Sequence, residues 1–423
     1  MNLGTIQESA LNMTIFRYIV TICMAIQILH ACSAFAASGD GGRADAFYNY
    51  GAGARSLGMG KAFVAVADSA EAMYWNPAGL MQVEKMELST LSSELFYGYK
   101  FNYHGFVWPM PDQVFAFHSA ALTSPTFEGR DSQNNLTSSF NDSKSSLGGS
   151  FATKLSPALS LGINYKKFTR SLASYTDDVT LIDGGVLYYM DRLRVGLTAM
   201  NLVAMTDVTK TSDKFDMNLR AGVAYQINDN FLLAFDLGDG LSHWFAGTEF
   251  MLHPAIALRG GVNYDEFTWG VGLNLDPFYA DYSDGSMELG HASRFSIRFK
   301  IGGSTHEQKQ QIAAQLNETG IHAYQNGFFL TSHYNLAKAL ELEPDNAKLK
   351  VRLDKIQRVV SIMSMSDLEK EMKAYEFFKK AEEAYKQANF SEAQNQIERA
   401  LKIYPDNPSL FIMQQKIAEK QGQ

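Results

Sequence analysis

Between Met86 and Ile301 the chain alternates apolar with small or polar residues in one segment after another, each roughly nine to twelve positions long. A period of two is the repeat of a β-strand, whose side chains point alternately to opposite faces. The clearest run is Phe215 to Gln226, FDMNLRAGVAYQ, with one apolar and one polar face. The pattern recurs with Leu159, Leu161, Ile163 and Tyr165 set against Ser160, Gly162, Asn164 and Lys166, and with Phe295, Ile297, Phe299 and Ile301 set against Arg294, Ser296, Arg298 and Lys300. A soluble sandwich also alternates, so loop asymmetry has to decide. Tight connections fall at Pro109-Met110-Pro111-Asp112, Ser156-Pro157, Met190-Asp191-Arg192, Asn228-Asp229-Asn230, His253-Pro254 and Asp276-Pro277. Mostly longer polar loops lie between them, the longest from Ser124 to Ser145. Short turns at one end and long loops at the other belong to transmembrane barrels.

Divided at those turns, the region predicts about 14 antiparallel strands, near 86–93, 98–108, 113–123, 145–155, 158–170, 178–189, 193–201, 215–226, 231–237, 243–252, 255–264, 267–275, 277–283 and 292–301. An even count returns the chain to its starting side. Tyr97, Tyr99, Tyr103, Trp108, Tyr188, Tyr189 and Trp269 lie near strand ends, where amphipathic rings form a girdle at headgroup depth. The inward positions read as Gly, Ala, Ser and scattered charges: Arg194, Arg220, Arg259, Arg298 and Lys300, with Asp183, Asp216 and Asp236 as candidate partners. Structural pairing is the expected role of these charges.

Residues 1–36 read as a secretory signal, with Arg17 ahead of the apolar run Ile19 to Ile26 and Ala34-Phe35-Ala36 offering cleavage before Ala37. Met1 to Asn12 carries Glu8 and no Lys or Arg, so Met13 is the expected start. Leu29-His30-Ala31-Cys32 is a relaxed lipobox, which leaves lipoprotein processing at Cys32 as the alternative. Cys23 and Cys32, the two cysteines, both fall here, so cleavage after Ala36 leaves no disulfide.

The stretch Gly51 to Leu80, GAGARSLGMGKAFVAVADSAEAMYWNPAGL, is rich in glycine and too short in its apolar part, Ala62 to Ala67, to span a bilayer. Gly51, Gly53, Gly58 and Gly60 permit positive φ and close backbone approach. Pro77 drives Asn76 out of helix and into a turn. Gly51-x-Gly53 lacks the preceding strand and following crossover helix of a dinucleotide loop. Gly53 to Gly60, Ala62 to Asp68 and Asn76-Pro77-Ala78-Gly79-Leu80 together resemble the entry segment of the FadL/PorV-type outer-membrane barrel family. The resemblance implies a 14-stranded barrel with an N-terminal plug, held through Gly53, Gly58, Gly60, Asn76, Pro77, Ala78 and Gly79. It further implies passage of a hydrophobic small-molecule ligand, long-chain fatty acids or similar, across the outer membrane. The PorV branch implies instead a non-transporting scaffold in protein secretion or surface assembly.

After Ile301 the spacing becomes helical. Two segments match: Gly320-Ile321-His322-Ala323 onward to Ala339 and Pro344, and Ala381-Glu382-Glu383-Ala384 onward through Ala393 and Ala400 to Pro405. They resemble the tetratricopeptide repeat, with small residues where paired helices touch and proline ending the second helix. The first copy departs at Ser332 and at Phe328-Phe329, and residues 347–372 read as helix without a full repeat. The resemblance implies a periplasmic tail that docks a protein partner.

The expected organisation is therefore a signal peptide (1–36), a plug segment (37–85), an all-β outer-membrane barrel (86–303) and an α-helical periplasmic domain (304–423). A net charge of −8 gives no basic surface for nucleic acid. The nine histidines show no metal-ligand spacing, and no Ser/His/Asp or Cys/His constellation appears, so neither an enzyme nor a cofactor is expected. Asp281 to Gly285 reads as a turn in preference to a loose Ca2+ loop.

Overall fold

The computed structural model describes residues 44–422 except 174, 207–214, 239–241, 288–289, 345, 362 and 365–366. The signal sequence, its two cysteines and the start of the plug segment lie outside the described residues. The chain divides into two compact units, the first ending at Gly302 and the second beginning at Gly303.

The first unit is a closed antiparallel barrel of 14 strands. In chain order these are β1 (Met86–Glu94), β2 (Lys100–Pro109), β3 (Gln113–Thr123), β6 (Asp142–Ser156), β7 (Leu159–Leu172), β8 (Tyr175–Met190), β9 (Leu193–Thr206), β10 (Asn218–Asn228), β11 (Phe231–Gly238), β12 (His243–His253), β13 (Ile256–Asn263), β14 (Phe267–Leu275), β15 (Phe278–Met287) and β16 (Gly290–Ile301). A separate hairpin, β4 (Phe127–Arg130) with β5 (Leu136–Phe140), lies within the longest expected loop, Ser124 to Ser145. Its Phe127 and Phe140 rings pack 5.7 Å apart. The barrel closes where β1 meets β16, in register from Met86↔Ile301 to Glu94↔Ser293. The six tightest turns, from 110–112 to 276–277, share the end at which β1 starts and β16 finishes, here termed proximal.

On β14 the outward residues Phe267, Trp269, Val271, Leu273 and Leu275 are 61%, 45%, 39%, 44% and 53% exposed, while the inward Thr268 is fully buried. Five consecutive large apolar side chains facing out over nine residues suit only lipid, so this barrel spans a membrane. Among the described residues no helix is long and apolar enough to cross one.

Several details differ from the sequence expectation. Strand β10 begins at Asn218, and Phe215 turns into the lumen to pack 5.2 Å from Phe168. Strands β7 and β8 extend further than expected, converting much of an expected loop into ladder. Tyr103 and Tyr189 are not girdle residues: Tyr103 is fully buried and donates to the Ala70 carbonyl, and the Tyr189 hydroxyl lies 3.4 Å from the inward Ser160. Asp281 to Gly285 is neither turn nor loop but the middle of β15, with Asp281 inward and Asp284 bonded to His291. Trp108, Tyr188 and Trp269 do face outward.

Among the described residues the second unit holds six α-helices: α1 (Thr305–Gln325), α2 (Phe329–Leu342), α3 (Ala347–Val360), α4 (Leu368–Lys386), α5 (Phe390–Ile403) and α6 (Pro408–Gln421). Ser304 starts α1 with a reciprocal capping box to Glu307. Asn346, Asn389 and Asn407 cap α3, α5 and α6. The segment 347–372 is not one helix: α3 ends at Val360, and Leu368 already begins α4.

Candidate functional site

The lumen is filled by residues 44–83, an inner segment with two short helices, Ala54–Gly58 and Ala72–Trp75, and single-turn helices at Ala44–Asn49 and Pro77–Gln82. Most of its residues from Gly51 to Leu80 are buried. Such irregular backbone cannot pair with a ladder, so wall side chains must satisfy it. Asp236 Oδ2 accepts from Phe63 N at 2.8 Å and Val64 N at 3.1 Å, Ser296 Oγ from Ala54 N at 2.7 Å, Thr268 Oγ1 from Gly60 N at 3.0 Å, and Glu87 Oε1 from Ala70 N at 2.7 Å.

Wall glycines seat the same backbone. A Cβ on Gly261 of β13 lies 2.0 Å from Gly60 N, on Gly247 of β12 2.1 Å from the Met59 carbonyl oxygen, on Gly196 of β9 2.6 Å from the Val64 oxygen, and on Gly162 of β7 2.3 Å from Ala78 N. The segment thus runs along the inner wall on a track of missing side chains.

The expected plug residues occupy these contacts. Gly53 and Gly60 adopt positive φ, 89° and 65°, whereas Gly58 does not and instead abuts Gly270. Gly79 leaves room for Ala67, whose oxygen sits 2.2 Å from where a Cβ would be. The Asn76 amide donates to the Val64 and Val186 carbonyls at 2.9 and 3.1 Å, and its oxygen accepts from Ala78 N at 3.1 Å. Pro77 and Ala78 pack over Gly162.

Most of the inward charges named above are paired with an opposite charge. Arg55 of the inner segment bonds Asp68 and Glu249, Glu249 accepts from Arg259 at 2.6 Å, and Asp281 takes both Arg259 at 2.8 Å and Arg298 at 3.2 Å. Lys61 and Arg294 share Glu266 at 3.0 and 2.9 Å, Arg220 meets Asp236 at 3.1 Å, and Lys166 meets Asp183 at 2.9 Å. Lys300 reaches Glu87 at 4.0 Å, and Arg194 donates to Gln82 Oε1 at 2.9 Å. Glu249, Glu266 and Asp281 were missed as partners because cross-strand register is not local in sequence. Among the described residues no group of His, Cys, Asp and Glu could hold a metal ion.

Two cavities flank the inner segment. At the distal mouth a pocket of about 140 Å³ is walled by Tyr48, Trp75, Phe245 and Tyr264, with Lys61, Asn218 and Arg220 among its polar lining. The Arg220 guanidinium lies 3.5 Å from the Phe245 ring centre and 5.3 Å from that of Trp75, a cation–π arrangement. At the proximal end a charged pocket of about 430 Å³ is bounded by Arg55, Asp68, Arg192, Arg194 and Glu249.

No family model and no curated protein matches this chain. Among solved structures it is similar to the Ralstonia pickettii toluene transporter TbuX, at 12% identity and TM-score 0.45 over 60% of this chain and 99% of that one. It is also similar to the CymD monoaromatic hydrocarbon channel (16%, 0.43, 60% and 98%) and to a Pseudomonas aeruginosa FadL homologue (11%, 0.38, 58% and 98%).

In the helical unit Ala323, Ala381, Ala384, Ala393 and Ala400 pack into one core with Phe328, Phe378 and Ile397, and Ala339 into a second with Leu336 and Ile356. A Cβ on Gly320 meets Leu336 Cγ at 2.8 Å, which holds α1 and α2 close. Pro344 and Pro405 sit exposed just beyond α2 and α5. Glu371, which sequence reasoning did not single out, is fully buried. It accepts from Thr331 N at 2.8 Å and Tyr404 Oη at 3.3 Å, and burial raises its carboxyl above the usual range.

Proposed function

We propose that this chain is a plugged outer-membrane barrel of FadL type that takes up small hydrophobic molecules at its distal mouth, with the inner segment acting as the plug. The observation that carries the reading is the pocket of about 140 Å³, whose mixed aromatic and polar lining includes Tyr48, Lys61 and Trp75 of the inner segment itself. A cavity of about 150 Å³ holds one benzene ring. The size therefore favours single-ring compounds over long-chain fatty acids. Passage then requires a shift of the plug, whose ionic contacts through Arg55 border the proximal pocket.

The even strand count supports a periplasmic position for the start of the tail, because Ile301 ends beside Met86. The helix pairs α1–α2 and α4–α5, with small residues between them, support a tetratricopeptide-like module that docks a periplasmic protein. A non-transporting scaffold is the second reading, favoured by the close seating of the plug backbone on the wall glycines. Uptake of a labelled monoaromatic by intact cells separates the two. Saturable uptake that depends on this chain supports transport, and uptake identical with and without the chain leaves the scaffold.

A further inference from the structure

We infer that this chain pairs with a second copy of itself in the membrane, through the outward face of β1, β2 and β3. On β14 the five outward apolar side chains extend over nine residues, roughly 20 Å along the membrane normal at a strand tilt of about 40°. The apolar part of β1–β3 is much shorter. From the proximal end the outward positions read Met86 and Leu88 on β1, Trp108 and Phe106 on β2, and Phe115 and Phe117 on β3, and each pair is followed by a polar residue. Thr90, Ser92, His104, Asn102 and Ser119 continue the face, with Glu94 and Lys100 at its distal edge. Two successive outward positions cover only about 7 Å of strand. Strands β1 and β2 have 9 and 10 residues, against 9 on β14, and are joined by residues 95–99. Their polar positions therefore lie at the depth where β14 carries Val271, Trp269 and Phe267.

Polar side chains at bilayer depth turn toward protein or water, not toward acyl chains. Thinning the bilayer to match this face means a local loss of more than about 10 Å, and its cost rises with every ångström of mismatch, whereas association withdraws the polar face from lipid altogether. A two-fold axis along the membrane normal sets every residue opposite residues at its own depth. A second copy thus brings a polar face of the same height by symmetry, which a barrel with an unbroken apolar belt does not. The charges agree. Glu94 and Lys100 oppose each other across the β1–β2 ladder, so an axis between these strands sets Glu94 beside the partner's Lys100, and the reverse. A groove of about 530 Å³ on this face, bounded by Leu88, Gly105, Phe117 and Leu147, gives the facing copy a recess to fill.

The test is disulfide cross-linking of the full-length protein in intact outer membranes, with the unsubstituted chain, whose Cys23 and Cys32 precede the barrel, as blank. Asn102→Cys, beside the axis, should give a linked homodimer at least about tenfold above Val223→Cys, the ratio that interfacial polar contacts supply. Val223 faces outward near mid-depth on β10, on the far side of the barrel. Thr90→Val with His104→Leu removes both partners of the 3.0 Å hydrogen bond between them and extends the apolar belt. It should leave the heat-modifiable band intact and reduce the Asn102→Cys dimer to the level of Val223→Cys. Particles extracted with a lipid-retaining polymer should hold two chains for the native face and one for the apolar variant. A dimer that persists in the apolar variant, or that links no better through Asn102→Cys than through Val223→Cys, overturns this face as the interface. One chain per particle with no cross-link overturns the pairing and leaves the face to thinned lipid. A cross-link to a different protein overturns it in favour of an unlike partner.

Discussion

Gly261 and Gly260 are neighbours on β13 that face opposite sides of the wall, and they make a matched test of whether the inner segment is seated as described. An added Cβ at Gly261 lies 2.0 Å from Gly60 N and 2.2 Å from the Met59 carbonyl carbon, where ordinary contact begins at 3.4 Å. The clash is with backbone, and that backbone is anchored by Thr268 on Gly60 N and by Asn263 on the Gly60 oxygen. More than an ångström of movement is needed with little slack to supply it. Overpacking costs about 1–3 kcal/mol when side chains can yield, so Gly261→Ala should cost about 3 kcal/mol. At Gly260 the nearest atom to a Cβ is Thr248 Cγ2 at 3.8 Å, on the lipid face, and the substitution should be neutral or stabilising by up to about 1 kcal/mol. The assay is the urea concentration at which the folded, heat-modifiable band is lost after refolding in detergent. Equal behaviour of the two variants would refute the seating of the inner segment on the glycine track.

Asn76→Ala strips hydrogen bonds from the buried Val64 carbonyl and Ala78 N–H and should cost about 1–3 kcal/mol in the same assay, with Pro77→Ala costing less. Arg55→Met leaves Asp68 and part of Glu249 uncompensated, so leakage of a small polar solute into proteoliposomes should rise; unchanged leakage would mean the ionic contacts do not hold the plug. In the helical unit the Glu371 carboxyl is raised by burial, so its contribution to stability is complete below its unfolded value and lost as pH rises through its folded one. Glu371→Gln should therefore gain on wild type in thermal melts between pH 4 and 7, and a gap independent of pH would contradict this. Truncation after Gly303 should leave an intact barrel, since the β1–β16 ladder is complete at Ile301, and should abolish capture of any partner. An epitope after Gln423 should stay hidden on intact cells.

The strand ladder was legible because a membrane wall imposes period two with large amplitude, as on β14, where Phe, Trp, Val and Leu alternate with Thr and Gly. The amplitude vanishes on β2. There Phe101, Tyr103 and Val107 face inward while Phe106 and Trp108 face lipid, so nothing local revealed that Tyr103 belongs to the lumen. The glycine-rich inner segment was visible as composition, but its seat was not. Gly162, Gly247 and Gly261 look like filler until the chain they accommodate, many residues earlier, is placed against them. The same distance hid Glu249 and Asp281, although their arginine partners stood out. In the tail, no glycine or proline between Val360 and Leu368 marks where one helix stops, so α3 and the start of α4 read as one.

The hydrogen bonds between Ala54 and Ser296 and between Gly60 and Thr268 join residues 242 and 208 positions apart. Some backbone groups of the segment made early in synthesis therefore acquire their partners only when the last strands arrive. Contacts of such sequence separation require closing very long loops, which slows folding. The order of assembly is constrained as well as its speed. A hydrogen-bonded cylinder that zipped shut first would have to admit an already folded cork, so β1 and β16 must stay apart until the N-terminal segment lies against the curling sheet. The seam at Met86–Ile301 is thus the step at which the chain commits, and an assembly factor acting on this protein has to hold those two edges open.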